Sequence, residues 1–236
     1  PLRELAGRPL VEHAWRCAKA SAATEVIVAT DDERIATVAR GFGARVCMTD
    51  LAHASGTDRI AEVARIIGLA GDDVVVNLQS DEPQMPPALL DQVAYEALGD
   101  REASIATLCT PIESAHELFD PNVVKVVSDQ RGHALYFSRA PIPWARDAFA
   151  QEARTLPPVS VAPAGYFRHI GLYAYRVGFL RDFVSWEPCA LERTEVLEQL
   201  RAMWHGHRIR VAVACERPGP GIDTPQDLAA LQAVMG

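Results

Sequence analysis

The run Asp73-Val74-Val75-Val76-Asn77-Leu78, bounded by Gly71 and by Pro83, constrains the fold more than any other stretch of the chain. A short apolar, β-branched run between breakers reads as a buried strand, of the kind found in parallel sheets covered on both faces. It ends in Gln79-Ser80-Asp81-Glu82-Pro83, and Pro86-Pro87 open the next helix. In open α/β sheets ligands bind in the crevice beyond the carboxyl ends of the strands. Asp81 is placed there to hold a hard cation, the usual companion of substrate phosphates. It can equally cap the helix that opens near Pro86.

The surrounding pattern extends this expectation to the whole chain. Helices over 9–20, 32–40, 58–69 and 87–98 alternate with strands over 25–30, 45–48, 73–78 and 103–109. Asp31 stands as an N-cap for the second helix, and Gly41 and Gly43 close it. This alternation predicts βαβ units and an α/β fold, with a doubly wound, mostly parallel sheet and helices on both faces. Beyond residue 110 the rhythm changes. Val123 to Ser128 and Ala134 to Phe137 flank the hairpin turn Asp129-Gln130-Arg131-Gly132. Residues 141–168, with Pro141, Pro143, Pro157, Pro158 and Pro163, read as an exposed excursion. A strand over 169–175, helices over 177–184 and 190–204, a strand over 208–214 and a helix over 225–234 complete the reading. No strand is read ahead of the first helix, and residues 1–236 form one domain.

Composition excludes several functions. Lys and Arg number 23 against 31 Asp and Glu, a net charge of −8 that argues against an extended nucleic-acid surface. An anionic substrate remains possible, because a metal or an arginine cluster can invert the local field. No apolar run approaches the ~20 residues that span a bilayer, and Arg3, Glu4 and Arg8 interrupt any signal peptide. Cys17, Cys47, Cys109, Cys189 and Cys215 are odd in number and widely spaced, as expected of reduced thiols in a cytosolic protein.

Five further features carry polar chemistry. Gly219-Pro220-Gly221-Ile222-Asp223-Thr224-Pro225 places a second carboxylate after a glycine-rich turn. Asp223 is either a helix cap or, paired with Asp81 across the sheet top, a second oxygen ligand for Mg²⁺. His53-Ala54-Ser55-Gly56-Thr57-Asp58-Arg59 opens a helix with small polar residues, whose free N–H groups suit an anion or a base edge. Arg139 follows the hairpin just before Pro141 and Pro143, where a planar guanidinium suits bidentate capture of a carboxylate. In Phe167 to Tyr175, period-two alternation puts His169, Gly171, Tyr173 and Tyr175 on one face. Leu191 to Arg201 is helical by pattern, with its acidic residues on a wet face.

Jointly these segments resemble the 3-deoxy-manno-octulosonate (Kdo) cytidylyltransferases. The matching blocks are Val46 to Thr49 with His53 and Ser55 to Arg59; Val76 to Pro83; Phe119 to Val126; Ala134 to Pro143; Phe167 to Tyr173; Leu197 to Arg201; and Gly221 to Pro225. The resemblance implies a Rossmann-like nucleotidyltransferase fold and transfer of CMP from CTP to the anomeric hydroxyl of Kdo, for lipopolysaccharide synthesis. It implies that Asp81 and Asp223 are catalytic residues and ligands of a Mg²⁺ cofactor. Ser55, Gly56, Thr57, Asp58, Arg59 and Gln79 then surround the nucleotide, and Arg139, His169, Tyr173, Glu198 and Gln199 hold the sugar acid. It also implies a cytoplasmic homodimer whose arm is the 141–168 excursion, with no nucleic-acid or membrane partner. The set Arg139, His169, Tyr173, Glu198 and Gln199 favours Kdo over another sugar acid such as sialic acid. Two departures stand out. Ser80 replaces the family's glycine. Pro1-Leu2 matches what directly follows the family's phosphate-binding loop, of the type Pro-Ala-Arg-x-x-Ser-x-Arg-Leu-Pro-Gly-Lys, so a strand and loop of roughly 20 residues are expected ahead of it. Without that segment, an inert nucleotide-binding subunit is the alternative reading.

Overall fold

A computed structural model describes residues 1–53, 55–149, 165–222 and 224–235. The chain opens with a small hairpin, β1 (Glu4–Leu5) and β2 (Arg8–Pro9), that turns through Ala6 and Gly7 at positive φ. The sequence pattern predicts no strand here; the hairpin's two-residue strands carry too little pattern to read. Then α1 (Leu10–Lys19), β3 (Ile27–Thr30), α2 (Glu33–Gly41), β4 (Arg45–Met48), α3 (Gly56–Ile66), β5 (Val74–Asn77), α4 (Pro87–Gly99) and β6 (Ala103–Pro111) alternate as expected. The N-cap of α2 is Asp32, whose Oδ1 accepts from Arg34 N at 2.8 Å. Asp31 instead pairs with Arg59 at 2.8 Å, because the helix starts one residue later than its pattern suggests.

Next come α5 (Ala115–Phe119), β7 (Lys125–Ser128), β8 (Ala134–Ser138), α6 (Arg146–Phe149), β9 (Phe167–Arg176) and α7 (Val177–Phe183). The chain continues with α8 (Ala190–Glu195), α9 (Gln199–Trp204), β10 (Arg208–Val213) and α10 (Pro225–Met235). The predicted hairpin is β7–β8.

The main sheet has six strands, and it is mixed rather than mostly parallel. β6 and β10 are parallel, as are β3 and β4 in their own two-stranded sheet. β9 runs against all its neighbours: β6 lies along one edge, while β7 and then β5 share the other. The cause is long-range. Chain that returns after the hairpin inserts β9 between β5 and β6, and no local signal announces the direction of such a strand.

Period-two alternation along β6 and β9 divides the core. Ile105, Cys109 and Tyr175 join Phe179, Leu180, Leu200 and Ile209 on one face, under α7 and α9. Ala106, Leu108, Leu172 and Ala174 meet Leu89 and Val93 of α4 on the other. Each fully buried Leu or Ile among these contributes about 1.5–3 kcal/mol. A smaller cluster of Leu5, Leu10, Ile222 and Leu231 ties the first hairpin to α10.

Two further readings change. The helix expected over 190–204 breaks at Val196, which sits at φ 54°, ψ 50°. Its acidic residues are not a wet face: Glu192 forms a two-pronged bond with Arg201, at 2.6 and 2.7 Å. Of the excursion, residues 150–164 lie outside the described residues. Its ends pack on the chain's own core, with Tyr166 buried beside Ile112 and Leu118 and with Phe149 stacked 6.3 Å away. β9 begins at Phe167, so the excursion ends earlier than residue 168. Among the described residues, no helix is long and apolar enough to cross a membrane.

Candidate active site

Three elements converge at the carboxyl end of β5. The first turn of α3 supplies Gly56 and Thr57, the β5 exit supplies Asn77 and Gln79, and the β9 face supplies Tyr173 and Tyr175. The segment after the Val196 break adds Glu198 and Gln199, with Ile105 and Phe183 as apolar floor, around a cleft of about 150 Å³. Thus Gly56, Thr57, Gln79, Tyr173, Glu198 and Gln199, singled out in the sequence, meet in one place. Asn77 joins them unpredicted, and Tyr175, read only as sharing the face of Tyr173, joins them too. For Asn77 the available signal was one amide in an otherwise valine-rich strand.

Gly56 is required by close approach. A Cβ there would lie 3.3 Å from Gln79 Nε2, tight enough to press on that amide, and in ordinary contact with Asn77 Nδ2 at 3.8 Å. The rest of the turn is internally satisfied. Ser55 Oγ accepts from Asp58 N while Asp58 Oδ2 accepts from Ser55 N, a capping box. Arg59 reaches Asp31 and the Thr49 hydroxyl, fastening α3 to the ends of β3 and β4. That bond is the chief reason the Asp31 carboxyl titrates below its ordinary value. Ser55, Asp58 and Arg59 therefore build the turn, while Gly56 and Thr57 face the cleft.

The cleft favours neutral side chains. Burial raises the Tyr173 and Tyr175 hydroxyls well above the ordinary phenol value. Burial also raises the Glu198 carboxyl; a side-chain hydrogen bond from Thr57 and the charge of Arg201 oppose it in part. A carboxylate in that setting seeks donors, and a polyhydroxy ligand supplies them. His169 is half-buried next to Tyr173, their ring centroids 5.2 Å apart. Burial lowers its pKa to about 3, so it is a neutral imidazole at physiological pH.

Arg139 stands apart from the cleft lining. Its Nε donates to Glu195 O at 2.7 Å, its Nη1 to Pro121 O at 2.9 Å and its Nη2 to Val196 O at 3.5 Å. Three of the five N–H groups of a guanidinium are thereby committed to backbone carbonyls. The Glu195 carboxylate closes this corner, accepting from Ser138 Oγ at 2.7 Å and from Arg139 N at 2.9 Å. Beside it Lys125, wholly buried, donates to Asp120 O at 2.9 Å and to Val123 O at 2.5 Å.

Asp81 follows β5 on the loop to α4. Its backbone O accepts from Ile222 N at 2.8 Å, so the turn that leads to residue 223 is stitched to the turn that carries Asp81. Asp223 itself lies outside the described residues. Among those described, no group of three or more His, Cys, Asp or Glu side chains is arranged to hold a metal ion.

Comparison with known proteins places this fold and cleft. The cytidylyltransferase family profile matches residues 1–209. The class is thus that of the cytidylyltransferases. A 3-deoxy-manno-octulosonate cytidylyltransferase from Pseudomonas fluorescens is 55% identical, over 100% of this chain and 91% of its own length. One from Pseudomonas syringae pv. tomato is 54% identical, with the same coverage. The solved structure of a CMP:2-keto-3-deoxy-manno-octonic acid synthetase complexed with CTP superimposes with a TM-score of 0.88 at 38% identity, over 100% of this chain and 90% of that one. A 4-diphosphocytidyl-2C-methyl-D-erythritol synthase shares the fold alone, with a TM-score of 0.61 at 12% identity. The chain belongs to the 3-deoxy-manno-octulosonate cytidylyltransferase family.

Proposed function

We propose that this chain transfers CMP from CTP to the anomeric hydroxyl of Kdo, releasing pyrophosphate. The observation that carries the reading is the meeting of the α3 turn with the Tyr173–Glu198–Gln199 wall in one cleft, within a chain so similar to relatives of that name. In this reading Gly56, Thr57 and Gln79 meet the cytidine, on a turn built by Ser55, Asp58 and Arg59. His169, Tyr173, Glu198 and Gln199 orient the sugar acid, whose carboxylate meets the two uncommitted N–H groups of Arg139. The anomeric oxygen attacks the α-phosphorus, its proton passes to water, and the bond from that phosphorus to the bridging oxygen of pyrophosphate breaks. Holding the two reactants in contact supplies much of the acceleration.

Asp81 and Asp223 are proposed to hold Mg²⁺. Their fit rests on two hard oxygen donors and on the Ile222–Asp81 hydrogen bond, which ties the chain just before residue 223 to the turn that carries Asp81. The ion would neutralise charge on the phosphate oxygens. Asp81→Asn and Asp223→Asn are each expected to abolish pyrophosphate release in a CTP-plus-Kdo assay while the fold persists. Near wild-type turnover at saturating Mg²⁺ would remove that residue from the ligand set.

A cytoplasmic homodimer completes the proposal. The five cysteines are free thiols, as a reducing compartment requires. Light scattering at micromolar concentration checks the dimer, and a monomer mass contradicts it.

A further inference from the structure

The antiparallel ladder between β6 and β9 slips at one place. Thr107 faces Tyr173, but the next residue, Leu108, faces Ile170, so Gly171 and Leu172 are extra on the β9 side. The wholly buried Thr107 side chain fills this bulge. Its Oγ1 lies 3.0 Å from Ile170 O, 2.9 Å from Leu172 O and 2.9 Å from His169 Nε2.

Donor and acceptor counting then favours one arrangement of the protons. The two carbonyl oxygens can only accept, so the single hydroxyl proton is spent on them. The remaining Thr107 contact requires a donor, which is Nε2–H of His169. A neutral imidazole carries one N–H, so Nδ1 is left as a lone-pair acceptor. Among the described residues no hydrogen bond reaches Nδ1. The ring is held in place by Phe137, edge-on at 5.1 Å and 82°, and by Tyr173 of the cleft wall.

We infer that Thr107 is a positioning residue: it locks His169 as the Nε2–H tautomer, so that Nδ1 accepts a hydrogen bond from a substrate hydroxyl. The role of Nδ1 rests on the proposed placement of the sugar acid beside His169; the tautomer does not. Burial lowers the ring's pKa, so protonation does not override the Thr107 contact near neutral pH. A ring free to exchange tautomers would present a donor to the same hydroxyl for part of the time. The β-bulge thus has a chemical purpose, since it brings two carbonyls to the hydroxyl that the imidazole reads.

Nitrogen-15 NMR of selectively labelled histidine in the intact protein tests the tautomer directly. The expected spectrum shows a pyrrole-type Nε2 and a pyridine-type Nδ1 for His169, unchanged down to pH 5. The opposite tautomer, or a rapidly exchanging pair in the wild type, overturns the inference whether or not any variant folds. Thr107→Val keeps the shape and removes the hydroxyl. It is expected to shift the His169 nitrogen signals and to raise KM for Kdo about tenfold, the scale of one lost hydrogen bond, with KM for CTP unchanged. Thr107→Ser is expected to restore both. Wild-type nitrogen signals in Thr107→Val refute the lock. Altered signals with an unchanged KM for Kdo would leave the lock standing and refute the placement of the sugar acid at His169.

Discussion

Glu195 and Glu198 lie three residues apart, on either side of the break at Val196, in opposite circumstances. Glu195 is saturated: its two oxygens accept from Ser138 and from the backbone of Arg139, and the Arg139 guanidinium grips the carbonyls around it. Glu198 lines the cleft, where burial works against its charge. The first corner is mainly framework: the Glu195 carboxylate and three of the five guanidinium N–H groups of Arg139 are already matched within the chain. The second holds a polar group at a cost to folding, which is the mark of a side chain kept for a ligand. The two depend on each other. The left-handed residue between them turns the chain toward the cleft, and the Glu195–Arg139 corner holds that turn.

The contrast can be broken most severely at Glu198. Glu198→Gln is expected to lower turnover with Kdo by about 100-fold or more, the scale of a lost charged contact to a reacting group. Its stability is expected to move the other way. A raised carboxyl pKa means that the folded state favours the protonated form. The wild type therefore bears the cost above the folded pKa and is relieved of it below the unfolded value of about 4.3. Melting curves are expected to show Glu198→Gln more stable than wild type at pH 7 and equal to it near pH 4. Equal stability at pH 7 would place Glu198 in water.

Glu195→Ala is expected to cost about 1–3 kcal/mol of folding free energy, measured by urea denaturation, since buried donors lose their acceptor. A neutral result would make the corner incidental. Arg139→Lys retains the charge but loses the planar fork. It is expected to cost about 1 kcal/mol of stability and to raise KM for Kdo more than KM for CTP. Equal rises would assign Arg139 to the framework alone. The smallest effect belongs to Val196→Gly, which removes a β-branched side chain from the left-handed region and is expected to stabilise the protein by about 1 kcal/mol. Lost activity in that variant would show that the stiffness of the turn is itself needed.

Much of this organisation is legible in the chain because it is local. The α3 turn is written in Ser55-Gly56-Thr57-Asp58, and the reading face of β9 follows from the alternation of His169, Gly171, Tyr173 and Tyr175. What escaped notice depends on distant partners. No glycine or asparagine announces the turn at Val196, because Glu195, Ser138 and Arg139 impose it from two elements. Arg59 and Arg139 read as ligand-facing cations, yet their first partners are a carboxylate and backbone oxygens supplied by other strands and loops. The antiparallel entry of β9 has no local signal at all. Thr107 carries no signal for a related reason: a lone threonine in a strand looks like filler until its neighbours across the ladder are known.

The position of β9 has a consequence for how the protein is made. It is the common partner of β5, β6 and β7, and Val74 meets Arg176 across some hundred residues of chain. Closing so long a loop is entropically slow. During synthesis Val74–Asn77 and Ala103–Pro111 emerge well before the strand that covers their open edges. Such edges invite wrong pairing with other chains while they wait. The same strand brings Tyr173 and Tyr175, so the nascent chain gains one wall of the cleft as those edges are covered, while the far edge of β6 waits for β10.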